Sequence, residues 1–374
     1  MKERILLRVQ GDKSWIGGVY YKKNILFSML QSAKIKKEYD IVVCVTPQNS
    51  KIFYEFKNDI ILKIFPENKY LFEMMILKEM LSRKYKFMYC MNSAFFNKLL
   101  RGRNIYWIPD FQYKYYPEYF DKKLITKRDN NYDMMAKTKG KLVLSSYTSK
   151  DDYYSFFSNN KNQVVVIPFV SYIEKEVLNL KEDFCQKVLE KYNLLGQFVY
   201  IPNQFWKHKN HIVVLEAIKH LLANKFYDYK FVFTGELSDF RNPDYISSVK
   251  KIMSEPLIQE YIVNLGFIPR EDQVAIMHKA AFLIQPSLFE GWGTVLEDAK
   301  VLDKTVLLSD IPVHREQKTD KCFLFNPTNS VELSKMIKDM SKRTYEESVS
   351  EGLSSMKNHA LIYSKKLEEL FDLT

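Results

Sequence analysis

No apolar run in the 374 residues approaches the roughly 18–20 needed to cross a bilayer as a helix. The Met1–Arg4 start passes straight into a short strand-like run, without the pattern of a signal peptide. Cysteine is sparse. The four (Cys44, Cys90, Cys185, Cys322) stand far apart with no CxxC pair, so they read as reduced core thiols and not as a disulfide frame or metal site. No GxGxxG string occurs, which argues against a dinucleotide cofactor. No repeat or low-complexity segment appears. No helix-turn-helix, finger or RNP-like string supports a nucleic-acid partner. His208 and His211 lack a cysteine or carboxylate to complete a zinc set, so no metal is expected.

The chain does have a globular composition, 46% hydrophobic and 27% charged, and a length that suits two domains. Its net charge of +11 is unevenly spread: residues 1–170 hold 30 Lys+Arg against 16 Asp+Glu, and residues 171–374 hold 26 against 29. Two readings of the basic half stand side by side. It is a solvated lysine-rich surface, or it is a face drawn to anionic lipid headgroups or a phosphorylated acceptor. Lys13, Trp15, Lys22, Lys23, Lys34, Lys36 and Lys37 are the residues that would form such a face.

The most informative stretch is 282–298, FLIQPSLFEGWGTVLED. Phe282–Ile284 reads as a buried strand, ended by Pro286 and Ser287. Gly291 and Gly293 flank Trp292 in a bare turn, and Thr294-Val295-Leu296-Glu297 fits a capping box that opens a helix. Strand, glycine turn and helix N-terminus together present unpaired backbone N–H groups to a phosphate. Glu290 at the mouth of the turn suits hydroxyl groups, because a carboxylate accepts hydrogen bonds from several. The ligand implied is anionic at one end and hydroxyl-rich at the other, as a nucleotide-sugar is.

Strand-like runs at 4–9, 40–45, 60–65, 87–91, 104–108, 141–146 and 163–169 alternate with helical segments. A linker is expected near 170–178, followed by strands at 198–202, 230–235, 261–269, 282–284, 305–310 and 322–325. This predicts an α/β protein with two Rossmann-like doubly wound parallel sheets. Gly17-Gly18 opens the first helix. Asp110 follows the 104–108 strand, as a ligand-facing residue or as the cap of the next turn. The aromatic run Phe111–Tyr119 would stack on sugar faces or pack against a helix. Lys207, His208, Lys209 and His211 crowd the turn after 198–202, where cations suit phosphate.

PSLFEGWGTVLEDAKVLDKTVLLSDIPVHREQ resembles the donor-site segment of retaining glycosyltransferases of family 4, which have the GT-B fold and the signature Glu-x7-Glu. The resemblance is strong over 163–330 and looser before it. It implies an N-terminal acceptor-side domain, 1–170, joined by a last helix (355–374) that crosses back, and a donor domain, 171–354. Glu290 matches the first glutamate. Asp298 stands at the second position, with Glu297 one place earlier; either would bind the ribose. Lys209 matches a family lysine that grips the donor diphosphate, and Gln204 stands where an Arg or Lys is usual. By resemblance, Gly17 and Gly18 approach the diphosphate, Asp110 lies near the reacting sugar, and Ile268 borders the base. Gly291, Trp292, Gly293, Thr294 and Val295 supply the turn and helix-start amides.

The resemblance implies a cytoplasmic enzyme, peripheral at the inner membrane face. It would transfer a sugar from a UDP- or GDP-linked donor to a glycan acceptor, a lipid-linked cell-surface polysaccharide such as O-antigen or capsule. Transfer would be retaining and metal-independent. Two alternatives remain at this stage: a nucleotide-sugar epimerase or hydrolase of the same fold, and a non-catalytic glycosyltransferase-like partner subunit.

Overall fold

The computed structural model describes residues 2–11, 16–82, 84–91, 103–168, 170–178, 182–343 and 352–372. The expected positions Lys13, Trp15 and Phe169, and the side chain of Cys90, lie outside the described residues.

Seven strands form the first sheet: β1 (Glu3–Arg8), β2 (Tyr39–Val45), β3 (Ile61–Ile64), β4 (Tyr85–Met91), β5 (Asn104–Ile108), β6 (Gly140–Leu144) and β7 (Asn162–Val166). Six form the second: β8 (Phe198–Pro202), β9 (Lys230–Thr234), β10 (Ile262–Asn264), β11 (Leu283–Gln285), β12 (Val306–Ser309) and β13 (Cys322–Phe325). The helices that bear on function are α1 (Ile16–Gln31), α2 (Lys69–Leu81), α3 (His211–Ala223), α4 (Arg270–Lys279), α5 (Thr294–Val301), α6 (Pro312–Gln317) and α7 (Gly352–Leu370).

All strand pairings are parallel. The orders are β3-β2-β1-β4-β5-β6-β7 and β10-β9-β8-β11-β12-β13. Each is a doubly wound Rossmann-like sheet, and the strand order reverses between β1 and β4 in the first and between β8 and β11 in the second. Parallel strands covered on both faces must be apolar throughout. Accordingly Val42–Val45, Leu283 and Ile284 are buried.

The chain divides into two compact units. One comprises Met1–Tyr115, Lys122–Tyr172 and Met356–Thr374; the other, Tyr116–Asp121 and Ile173–Ser355. In the first unit the end of α7 is tied down by polar and aromatic contacts. Ser32 donates to Glu368 (2.6 Å), Lys141 donates to the Leu370 carbonyl (2.6 Å), and the Phe371 ring lies 5.4 Å from that of Phe87.

The division departs from a simple cut at 170, because Tyr116–Asp121 packs with the second unit. Tyr116 stacks on Tyr119 (4.9 Å), Lys207 Nζ lies 4.6 Å from the Tyr119 ring centre, and the Arg241 guanidinium sits between Phe120 and Trp206 (4.8 and 4.0 Å). The preceding aromatic, Phe111, goes into the core of the first unit against Tyr132, Tyr153, Phe156 and Phe157.

The expected basic face needs correction. Lys22 and Lys23 are only 1% and 2% exposed. Lys23 pairs with Glu55 at 2.6 Å, and Lys22 donates to the Gln10 carbonyl at 3.3 Å. Helix α1 turns that edge inward, because the apolar residues around them (Val19, Tyr21, Ile25, Leu26) fill the core on more than one side. Lys34, Lys36 and Lys37 are exposed.

Candidate functional site

In an open parallel sheet a ligand binds beyond the carboxyl ends of the strands, where the order reverses. In the second unit that point lies between β8 and β11, and the loops leaving these two strands are laced together. Asn203 donates to Gln285 Oε1 (2.8 Å), Leu288 N–H donates to the His208 carbonyl (2.7 Å), and Asn210 donates to the carbonyls of Pro286 (3.1 Å) and Pro327 (2.7 Å). Asn210 has φ +56°, a left-handed conformation that asparagine tolerates, and this turn starts α3.

Glu290 stands at the centre. Its Oε1 accepts from Lys209 Nζ (2.5 Å), Ser287 Oγ (2.7 Å) and Gln285 Nε2 (3.0 Å). Among the described residues nothing donates to Oε2, which leaves that oxygen for a ligand. Burial is the largest single influence and opposes charge on this carboxyl, but Lys209, His208 and His314 together outweigh it, and the pKa is held down at about 2. Lys209 is the charge that matters at neutral pH, because both histidines are kept neutral.

The cationic turn expected at Lys207–His211 is therefore split. Lys209 pairs with Glu290 through one of its three ammonium donors, and Lys207 lies over Tyr119. His208 is pushed down to about 3, chiefly by burial and then by Lys209. His211 is fully buried, stacked on Phe205 at 4.1 Å, and burial pushes it to about 3 against a weaker pull from the Asn203 backbone.

The glycine turn leads into α5, but the capping box does not form. Gly293 is the N-cap, Thr294 is the first helical residue, and no side chain caps the helix. Instead Gln317, at the end of α6, grips Gly293 twice: its Oε1 accepts the Gly293 N–H (3.0 Å) and its Nε2 donates to the Gly293 carbonyl (2.7 Å). A Cβ at position 293 would stand 3.1 Å from Gln317 Oε1, so glycine allows this approach. One amide of the turn is thus consumed. Gly291, Trp292, Thr294 and Val295 keep their places in the turn and the first helical turn, with Lys300 Nζ 5.8 Å from the Trp292 ring centre.

Glu297 and Asp298 are both buried and both engaged. Glu297 Oε1 accepts from Lys300 (2.7 Å) and from Gln317 Nε2 (2.7 Å). Asp298 holds Arg270 with two hydrogen bonds, 2.7 and 2.6 Å. Gln204 Oε1 accepts the Glu236 N–H (2.7 Å), so this side chain fixes the end of β9. The adjoining Gly235 has φ +117°, and a Cβ there would fall 2.4 Å from the Asn203 carbonyl oxygen; only glycine fits. The Ile268 side chain is buried in the turn before α4.

The remaining expected residues belong to the first unit. Asp110 accepts the Gln112 N–H (3.0 Å) and so caps the turn after β5. Gly17 and Gly18 lie inside the first turn of α1, Gly17 exposed with open space around it and Gly18 buried.

Sequence reasoning missed Arg270, Gln285, Ser287, His314 and Gln317. His314 is fully buried on α6, its Nδ1 bonded to the Ser309 carbonyl (2.9 Å) and Oγ (3.0 Å), and burial pushes its pKa to about 4. Ser309 Oγ in turn donates to the Ser287 carbonyl (2.6 Å), so β12 and α6 brace the Glu290 loop. The string SDIPVHREQ held the signal, polar residues directly after an apolar strand, but no spacing rule connects it to residue 290.

Residues 190–351 match the family described as Glycosyl transferases group 1. The chain is 24% identical over 268 residues to the O-antigen chain mannosyltransferase RfbU of Salmonella typhimurium, a match spanning 71% of this chain and 66% of the relative. Among solved structures it resembles a glycosyltransferase from Rickettsia africae, with a TM-score of 0.69 and 16% identity over 100% of this chain and 98% of that one. It also resembles Anabaena Alr3699/HepE, solved with UDP and glucose: TM-score 0.68, 14% identity, 99% and 96% covered. The fold is thus that of the GT-B glycosyltransferases, and the group 1 match falls on the unit that carries Glu290, Lys209 and the glycine turn.

His208, His211 and His314, the three histidines whose pKa values the fold depresses, make stability sensitive to acid. Unfolded, each takes up a proton as pH falls through about 6.5. Folded, they resist until about 3 (His208, His211) or 4 (His314). Between those limits the unfolded chain binds more protons, so stability should be complete above pH 6.5 and fall toward pH 4, by about 1.4 kcal/mol per pH unit for each histidine. Glu290 extends the loss as pH falls from its ordinary value toward about 2. Denaturant titrations across this range should show the slope, and His211→Phe should reduce it by about one proton. A flat profile from pH 6.5 to 4.5 would contradict the neutral assignments.

Proposed function

We propose that the protein transfers a sugar from a UDP- or GDP-linked donor to a glycan acceptor, with retention and without a metal. The observation that carries this reading is Glu290: one carboxylate oxygen saturated by Lys209, Ser287 and Gln285, the other unclaimed, beside a glycine turn and a helix N-terminus. The group 1 match, and relatives described as an O-antigen mannosyltransferase and as holding UDP and glucose, support the same substrate class.

In this reading the free oxygen of Glu290 accepts hydrogen bonds from sugar hydroxyls and orients the ring. Lys209, the amides of Gly291, Trp292, Thr294 and Val295, and the dipole of α5 hold the diphosphate and stabilise its charge as it leaves. Asp298 or Glu297 receives the ribose hydroxyls. Gln204 and Ile268 border the donor. The anomeric C–O bond to phosphate breaks, the acceptor oxygen bonds to the same carbon face, and the acceptor proton passes to the leaving phosphate oxygen. The acceptor proposed is a lipid-linked polysaccharide at the inner membrane face.

Glu290→Gln should remove most transfer, since a charge-assisted hydrogen bond to a hydroxyl is worth roughly 1.5–3 kcal/mol, or about 10–150-fold in rate, and should also lower thermal stability by leaving Lys209 unpaired. Near-normal kcat in the purified variant would rule out this role. Lys209→Ala should weaken UDP or GDP much more than the bare nucleoside, as titration calorimetry would read. Equal losses would show that Lys209 does not touch phosphate. Transfer should persist in EDTA; full loss restored by a divalent cation would overturn the metal-free stabilisation. Free sugar or a changed nucleotide-sugar formed without acceptor would favour the hydrolase or epimerase reading.

A further inference from the structure

Helix α2, KYLFEMMILKEML, is apolar nearly all round. A helix of that kind is normally covered on every side. Here Phe72, Ile76 and Met80 are buried under it, while Tyr70 (82% exposed), Met74 (65%) and Leu81 (58%) face outward with Leu71 and Met75 also exposed. Contacts hold it against β3, the edge strand of the first sheet: Lys63 pairs with Glu79 (2.6 Å), and the Phe65 and Phe72 rings lie 5.8 Å apart. That strand adds Ile61 and Ile64, both exposed. Several large apolar side chains exposed on one helix face mark an interaction site.

The charges on α2 indicate the partner. Both of its carboxylates turn inward, Glu73 to Arg8 and Glu79 to Lys63 and Tyr85. Its exposed charges are Lys69 and Lys78. An apolar helix face that carries Lys78, with Lys69 exposed at the helix start, is complementary to an anionic lipid interface. Lysine stems can lie along the apolar surface while the ammonium groups reach headgroups. A second copy is less suited, because a two-fold contact would bring this cationic face against its own like charges.

We propose that the outer face of α2 is a membrane-docking surface: Tyr70, Leu71, Met74, Met75 and Leu81 enter the interfacial layer and Lys69 and Lys78 meet anionic headgroups. This deepens the membrane-side reading of the proposed function and rests on it only for the acceptor.

The full-length chain should sediment with phosphatidylcholine vesicles that contain phosphatidylglycerol, and weakly or not at all with phosphatidylcholine alone. Met74→Glu combined with Leu81→Glu changes two exposed positions. It should weaken vesicle binding at least about tenfold, with unchanged thermal unfolding and an unchanged stabilisation by UDP. Lys69→Ala combined with Lys78→Ala should reduce the preference for the anionic lipid. Tyr70→Trp should gain fluorescence quenching by brominated lipid beyond that of the parent. The proposal is overturned if the parent ignores anionic vesicles, if the Met74/Leu81 variant binds as the parent does, or if Tyr70→Trp adds no quenching. A lipid-free dimer that the same double variant dissolves would assign the face to a second copy. Vesicle binding with no donor-dependent transfer would count against the proposed function alone, and transfer to a soluble acceptor without vesicle binding against the docking face alone.

Discussion

A carboxylate with little access to water stays ionised only if a cation stands beside it, and in the second unit this requirement ties two loops together. Glu290 follows β11 and Lys209 follows β8, and their 2.5 Å contact spans the point where the strand order reverses. Breaking such a pair from one side leaves an uncompensated charge, which costs more than the pair itself contributes. The surrounding bonds share that constraint. Asn203 to Gln285, His208 to Leu288 and Asn210 to Pro286 keep the loops in register. A site held this way is formed before any ligand arrives, so little ordering entropy is lost on binding.

The same economy governs the helix start. A buried helix N-terminus needs partners for its first amides, and the usual device is a side chain at the N-cap. Here the N-cap is Gly293, and the partner comes from Gln317, 24 residues later. This arrangement releases the Thr294–Glu297 pair from capping. Glu297 instead joins Lys300 and Gln317. The turn is therefore fixed from behind, through α6, and its front is free of side-chain caps. Asp298 is held in the same spirit by Arg270, whose two parallel hydrogen bonds set the carboxylate plane.

The fold was largely readable because buried parallel strands announce themselves as short apolar runs separated by turn residues. The runs at 40–45, 104–108, 198–202 and 322–325 correspond to β2, β5, β8 and β13 within a residue. The place of Glu290, between a strand and a glycine turn that opens a helix, was also readable from the sequence. What was hidden is contact across sequence distance. Nothing local in Gln317 shows that its amide will clasp Gly293, and nothing in Arg270 shows that it will meet Asp298. The capping-box pattern misled because a local rule yielded to a better long-range partner. Tyr116–Asp121 was hidden for the same reason: the cations that attract these rings, Lys207 and Arg241, lie some ninety residues or more further along the chain.

Charge counting met a different limit. A lysine-rich half suggests a basic surface only if its lysines reach water. Lys22, Lys23 and Arg8 are buried, each bonded to a carboxylate or carbonyl, so part of the excess is internal structure. Apolar counting fails in the opposite direction, since a helix such as α2 reads as core and yet exposes half of its large side chains. Surface character depends on which face each residue occupies. In α2 Glu73 and Glu79 are engaged by Arg8 and Lys63, so among the helix's own charged residues Lys69 and Lys78 are the ones left exposed. The two part-buried ion pairs and the exposed methionines are therefore one feature: acids engaged by the fold set the chemistry of the surface left outside.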